Sequence, residues 1–199
     1  KSLQTLILPA FVYAVFLILS PSTFFRPNSL YIMLLQAIIP AVMGWGLCFI
    51  LTSSLWDFSI GGVVVLVGIV AADVGLTYGL IPMMVVAVLL GTALDVLTGA
   101  IYVLLRVPSI VVTIAMALVY EALGSLYKTG SGYTIPSGLT ILGNPPFNFI
   151  IGAAAFVIAY LLFNYTGFGA HVRAVGNNER LAQNMGVKPM RVKFLCFTA

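Results

Sequence analysis

The sequence predicts an all-α fold: a polytopic integral membrane helical bundle with six spans plus the start of a seventh. Three observations predict it. Of the 199 residues, 61% are hydrophobic and 7% charged, where ordinary soluble domains carry about 25% charged residues. The apolar residues are gathered into runs near the length of about 20 residues that a helix needs to cross a bilayer. The basic residues fall unevenly on alternate connections, as they do when topology is set by charge. The net charge of +4 is therefore a topology signal and not a nucleic-acid footprint. The first expected partner is the lipid membrane, and no nucleic acid is expected.

Residues 3–20 form the first span, with Pro9 as a kink site. The run is long enough to cross and lacks a small-residue cleavage site, so it does not read as a removable signal peptide. Residues 21–29 are a turn-rich linker, with Phe24 and Phe25 suited to the membrane interface. The second span, 30–51, contains Pro40, Gly44 and Gly46 and is expected to bend or open locally. Asp57 or Ser59 is placed to cap the third span, which ends near residue 74 and offers Gly61, Gly62 and Gly68 as a face for close packing. The fourth span is 81–105, closed by Arg106 and Pro108, and the fifth is 109–127. Residues 128–147 are too polar to span. The sixth span is 148–165, and 192–199 begins a further apolar segment.

Placing the N-terminus in the cytoplasm puts Lys1, Arg106, Arg173, Arg180, Lys188, Arg191 and Lys193 inside and only Arg26 and Lys128 outside. The chain starts without Met and stops within an apolar segment, so it is expected to be part of a longer membrane protein lacking its C-terminal spans. Cys48 and Cys196 both lie in apolar runs and read as buried thiols acting as small hydrophobes, not as a disulfide. The whole of 1–199 reads as one transmembrane domain with a basic loop at 166–193.

That loop carries five of the nine Lys and Arg residues and the only His, His171, which reads as a solvated residue. Gly167, Gly169 and Gly176 are expected to break the exit from span six. Asn177 and Asn178 are N-cap candidates for a short helix over 179–185, and Glu179 suits its positive dipole end. Gly186 stands where a left-handed C-cap would be, and Pro189 can open the next helix. Leu181 and Met185 share one face at i, i+4 spacing. Two turns of helix are not stable alone in water, so the segment must rest on the membrane domain or on a partner. A topology-setting basic loop and a knob that fits a groove on another protein are both compatible with these residues.

Three carboxylates lie in or near spans. Asp73 is close enough to the end of span three to reach the interface. Asp95 is deeper, and Gly91, Asp95, Thr98 and Gly99 form one small, polar face that either packs on a neighbour or lines a pathway. Glu121 stands in the outer half of span five. Such carboxylates can accept hydrogen bonds from substrate hydroxyls. No partner stands beside them in the sequence for acid–base work, so an enzyme is not expected. Trp45, Trp56 and the tyrosines read as packing or interface residues.

The loop resembles the cytoplasmic loop of permease subunits of bacterial ABC importers for simple sugars, the ribose/xylose/arabinose permease family. Thr166, Gly169, Ala174, Gly176, Asn178 and Gly186 match its pattern, with Val187 for the family's Ile and Arg191, Val192 and Lys193 for its basic continuation. The chain departs at Arg180, Leu181 and Met185, where the family carries small residues, and at Glu121, where it tends to carry Arg. Asp57-Phe58-Ser59-Ile60-Gly61 is similar to the family's D-L-S-V-G at the start of span three. The Pro27-Asn28 and Thr129-Gly130 pairs fit as well.

The resemblance implies a membrane-spanning permease that translocates a simple sugar or similar small polar solute across the bacterial inner membrane. It implies a second permease subunit, cytoplasmic ABC ATPase subunits that grip the loop through Gly176, Asn178, Glu179, Ala182 and Gly186, and a periplasmic substrate-binding protein. Asp57, Ser59, Asp95, Thr98 and Glu121 become candidates for the translocation path. No cofactor is expected on this chain, and the sequence has no G-x-x-x-x-G-K-[ST] to cradle ATP phosphates. A branched-chain amino-acid permease of the same class, a secondary transporter needing no ATPase, and a membrane anchor without a pathway remain as alternatives.

Overall fold

The computed structural model describes residues 2–20, 26–127 and 136–198, with side chains from Ile7 onward in the first of these. Phe24, Phe25, Lys128, Thr129 and Gly130 lie outside the described residues, as does Lys1. Every regular element among the described residues is helical. In hydrocarbon, backbone N–H and C=O groups must be satisfied within the protein, and a helix does this within one segment.

Helices α1 (Ser2–Leu19), α2 (Pro27–Thr52), α3 (Ile60–Tyr78), α4 (Leu80–Leu105), α5 (Ser109–Leu126) and α6 (Phe147–Tyr165) occupy the six expected spans. Five of them, α2 to α6, are long and apolar enough to cross a membrane, and α1 is apolar over Ile7–Leu19. The chain is thus an all-α, multi-pass membrane protein. Three shorter helices follow: α7 (Gly167–Asn177), α8 (Glu179–Asn184) and α9 (Pro189–Phe197).

The chain divides into two compact units, Lys1–Ala41 and Val42–Ala199. The first holds α1 and the opening turns of α2. Helix α2 runs on through Pro40 without a break. The second unit holds the core. Helix α3 packs against both α4 and α5, and α9 packs against α4. Small residues allow the close approach: a Cβ on Gly62 would lie 2.7 Å from the Ala117 carbonyl oxygen, and one on Gly99 would lie 3.1 Å from Phe197 Cβ. Phe49, Val63, Leu66, Tyr102, Tyr120 and Val172 are among the buried residues between them. Outside the core the helices expose Val64, Val88, Ile114 and Phe156, the apolar surface a lipid-facing helix needs.

Two boundaries differ from expectation. Helix α3 continues past residue 74 to Tyr78, so Asp73 lies within it, where its carboxylate accepts a hydrogen bond from the Tyr127 hydroxyl at 2.9 Å. Residues 167–177, expected to be broken by glycines, form the continuous helix α7. Gly167 is its first residue with open space around it, and Gly169 and Gly176 do not interrupt it because they serve close packing. A Cβ on Gly169 would fall on the Phe163 and Leu162 carbonyls, and a Cβ on Gly176 on the Thr52 carbonyl.

Candidate functional site

The basic loop is a packed module. Thr166 caps α7, its hydroxyl accepting from the Gly169 N–H at 3.3 Å. Asn178 caps α8, with Oδ1 accepting from the Leu181 N–H at 3.0 Å. Asn184 is the last helical residue and Met185 the C-cap, one residue earlier than the expected end. Gly186 follows at φ +86°. Its N–H donates to the Gln183 carbonyl at 3.0 Å, and the Val187 N–H donates to the Ala182 carbonyl at 3.1 Å. These are the two bonds of a Schellman stop, which needs a left-handed residue where Gly186 stands. Pro189 then opens α9.

The module has an inner and an outer face. Val172, Val175, Ala182, Val192 and Cys196 are buried. Leu181 is 55% exposed and Met185 77% exposed. Arg180, Lys188 and Arg191 are also exposed. The Lys193 ammonium pairs with the Glu179 carboxylate at 2.8 Å, and the Arg173 guanidinium lies 5.2 Å from the centre of the Phe163 ring and donates to the Phe163 carbonyl. His171 is exposed at a cleft of about 290 Å³ that also touches Phe168, Met185 and Lys188. The outer face is an apolar tip on a basic ground, positioned by a folded inner face.

The path candidates converge in part. Between α2 and α3, the Asp57 carboxylate accepts from both the Ser59 N–H at 2.7 Å and the Ser59 hydroxyl at 2.6 Å. Ser59 occupies the N-cap of α3 without making a side-chain cap. Asp57 therefore fixes the turn into α3, and Ser59 serves the carboxylate. On α4, Asp95 is half-buried. Thr98 is fully buried, and Gly99 beside it packs on α9. Thr98 Oγ1 bonds the Leu94 carbonyl at 3.0 Å and stands 2.9 Å from the Tyr120 hydroxyl.

Tyr120, on α5, is the member that sequence reasoning missed. It is 1% exposed and donates to the Leu94 carbonyl at 2.8 Å. A tyrosine in an apolar helix gives no signal of this until the helix opposite is known. Glu121 is next in sequence but exposed, on a different side of α5, and does not join the cluster.

Trp45 and Trp56 do not join it either. Trp45 packs on Phe156 with ring centres 5.1 Å apart, at a cavity of about 220 Å³ between α2 and α6 lined chiefly by Phe49, Phe156, Tyr160 and Phe163. Trp56 stacks on Phe58 at 6.2 Å and is 53% exposed. Cys196 is buried, whereas Cys48 is exposed at the α2–α6 cavity, contrary to the expectation for that thiol. Among the described residues no group of three or more His, Cys, Asp or Glu is placed to hold a metal ion.

Residues 29–199 match the family model described as branched-chain amino acid transport system / permease component. The chain is 29% identical over 192 residues to the ribose import permease protein RbsC of Escherichia coli K12, covering 90% of this chain and 59% of that protein. It is 28% identical over 184 residues to the L-arabinose ABC transporter permease protein AraH of Azospirillum brasilense, covering 87% of this chain and 53% of that protein. It is 28% identical over 153 residues to the autoinducer 2 import system permease protein LsrC of Yersinia pseudotuberculosis, covering 71% of this chain and 42% of that protein. The chain thus spans 59% or less of these relatives' lengths. No solved structure matches it.

Proposed function

The chain belongs to the family of branched-chain amino acid transport system permease components, and from that premise we propose that it is the membrane-spanning subunit of an ATP-driven importer for a simple sugar or similar small polar solute. The observation that carries the reading is the match over 29–199, taken with relatives whose names state ribose import, an L-arabinose ABC transporter and autoinducer 2 import. The family description names amino acids, but the matched relatives favour a polyhydroxylated solute.

In this reading the chain is not itself an enzyme. ATP is hydrolysed on separate cytoplasmic ABC ATPase subunits, a periplasmic binding protein delivers the solute, and a second permease subunit completes the pathway in the inner membrane with the N-terminus inside. No cofactor is assigned to this chain. The α7–α8 module is the docking element for the ATPase. Gly176, Asn178, Ala182 and Gly186 hold its shape, Glu179 anchors α8 to Lys193, and Leu181 and Met185 present the apolar tip. A short helix anchored on the membrane domain transmits force, where a floppy loop would absorb it.

Asp57 and Asp95 are the groups we place on the solute path. Carboxylates accept hydrogen bonds from hydroxyls, and two of them suit a solute that donates several. Ser59 holds Asp57, Thr98 and Tyr120 hold the α4 backbone beside Asp95, and Glu121 acts separately from them. Ionisable groups at membrane depth are costly and are kept where they serve a pathway.

The test is reconstitution of the full-length protein with its candidate ATPase and binding protein in liposomes. The reading expects ribose-class solute to enter only with ATP and loaded binding protein. Uptake driven by an ion gradient in the permease alone would contradict it, and uptake of branched-chain amino acids in place of sugars would correct the solute class.

A further inference from the structure

The seven residues between α2 and α3 join the basic module to the carboxylate cluster, and their construction is unusual for a connection of that length. Helix α2 ends in a second Schellman stop. The Ser54 N–H donates to the Leu51 carbonyl at 3.1 Å, and the Leu55 N–H donates to the Ile50 carbonyl at 3.1 Å. The left-handed position in such a stop is normally glycine, because a Cβ there is strained. Here it is Ser54, at φ 61°.

The serine has a use that glycine lacks. Its hydroxyl donates to the Gly176 carbonyl at 3.2 Å, across 122 positions of sequence. Gly176 in turn lies with its Cα against the Thr52 carbonyl and close to Ser53, leaving no room for a side chain. Strain on one side of this contact and absence of a Cβ on the other both serve the same junction. Two residues on, the linker is pinned again. The Trp56 N–H donates to Ser109 Oγ at 3.0 Å, and its carbonyl accepts from Thr113 Oγ1 at 3.4 Å, both at the start of α5. Ser53 and Leu55 are buried. Asp57 and Ser59 close the linker with their mutual bonds.

We propose that the 53–59 linker is a rigid strut holding the basic module and the Asp57 carboxylate as one mechanical unit, with Ser54 and Gly176 as its positioning residues at the loop end and Trp56 held by Ser109 at the other. Its functional meaning rests on the permease reading: movement of the docked module is delivered to Asp57, and through α5 to the helix pair around Asp95. The mechanical claim stands on the contacts alone.

The experiment is amide hydrogen exchange on the full-length protein in nanodiscs, without partners, comparing wild type with Ser54→Gly and Gly176→Ala. Glycine suits the left-handed position, so Ser54→Gly keeps the helix stop while removing the hydroxyl. The strut predicts that the Trp56 and Ser59 amides exchange roughly fivefold faster in Ser54→Gly, the effect of about one lost hydrogen bond, together with amides of 172–178. Unchanged exchange at Trp56 and Ser59 would overturn it. Should Gly176→Ala fail to fold, Ser54→Gly decides alone. In the reconstituted importer, Ser54→Gly is expected to lower solute moved per ATP about threefold while hydrolysis continues. Absence of ATP-driven transport in the wild type, with the exchange linkage present, would reject the permease reading and leave the strut in place.

Discussion

The Tyr120 hydroxyl stands 2.9 Å from Thr98 Oγ1 and donates to the carbonyl of Leu94 at 2.8 Å, tying α5 to α4 one turn from Asp95. Both residues are inaccessible to solvent, Thr98 at 0% and Tyr120 at 1% exposed. In that setting a hydroxyl either finds a partner or costs the protein its desolvation. Tyr120→Phe removes the donor but leaves Thr98 bonded to Leu94. The expected loss is about 1–2 kcal/mol in stability, read from denaturant unfolding in mixed micelles. Tyr120→Leu, which also removes the ring from the core, is expected to cost more.

Gly62 sets how near α3 can come to α5. Alanine there would put Cβ 2.7 Å from the Ala117 carbonyl oxygen and 3.1 Å from Tyr120 Cβ. Backbone cannot yield as a flexible side chain does, so Gly62→Ala is expected to destabilise by about 1–3 kcal/mol, the usual range for overpacking. Gly61, with nothing within 4 Å, should accept alanine without loss. A thermal-shift comparison of the two neighbours in detergent checks both.

The ends of α8 are separable. Asn178→Ala removes the cap to the Leu181 N–H and is expected to cost about 1 kcal/mol. Gly186→Ala forces a side chain into φ +86° and is expected to cost about 1–2 kcal/mol. Both should appear as faster amide exchange confined to 179–187, with α3, α4 and α5 unaffected. The Lys193–Glu179 pair is different. Glu179 is 47% exposed, water competes for it, and Glu179→Gln should shift stability by less than about 1 kcal/mol.

Much of this fold is legible in the sequence because a membrane helix announces itself by length and apolarity. Asn178, Gly186 and Pro189 also punctuate α8 and α9 by chemistry that is local to the chain. The misreadings have one physical origin. Glycine in a sequence does not say whether it is there for a turn or for a neighbour. Gly169 and Gly176 looked like breaks in 167–177 and are contact points on the Phe163 and Thr52 carbonyls. Asp57, Ser59, Asp95 and Thr98 could be picked out one by one as polar groups in apolar surroundings. That Tyr120 joins Thr98, and that Glu121 beside it does not, depends on how α4 and α5 face each other.

The account turns on the basic module being where an ATPase engages the membrane subunit. Leu181 and Met185 are its exposed tip, so charging them leaves the buried side of the module intact. The direct measurement is association of the full-length Leu181→Asp/Met185→Asp variant with its candidate ATPase in nanodiscs, alongside wild type. The module should remain folded by amide exchange over 167–187, and affinity should fall at least about tenfold with loss of substrate-stimulated ATP hydrolysis, as expected when a central apolar contact is charged. Wild-type affinity and stimulation in a variant with a folded module would contradict the docking role.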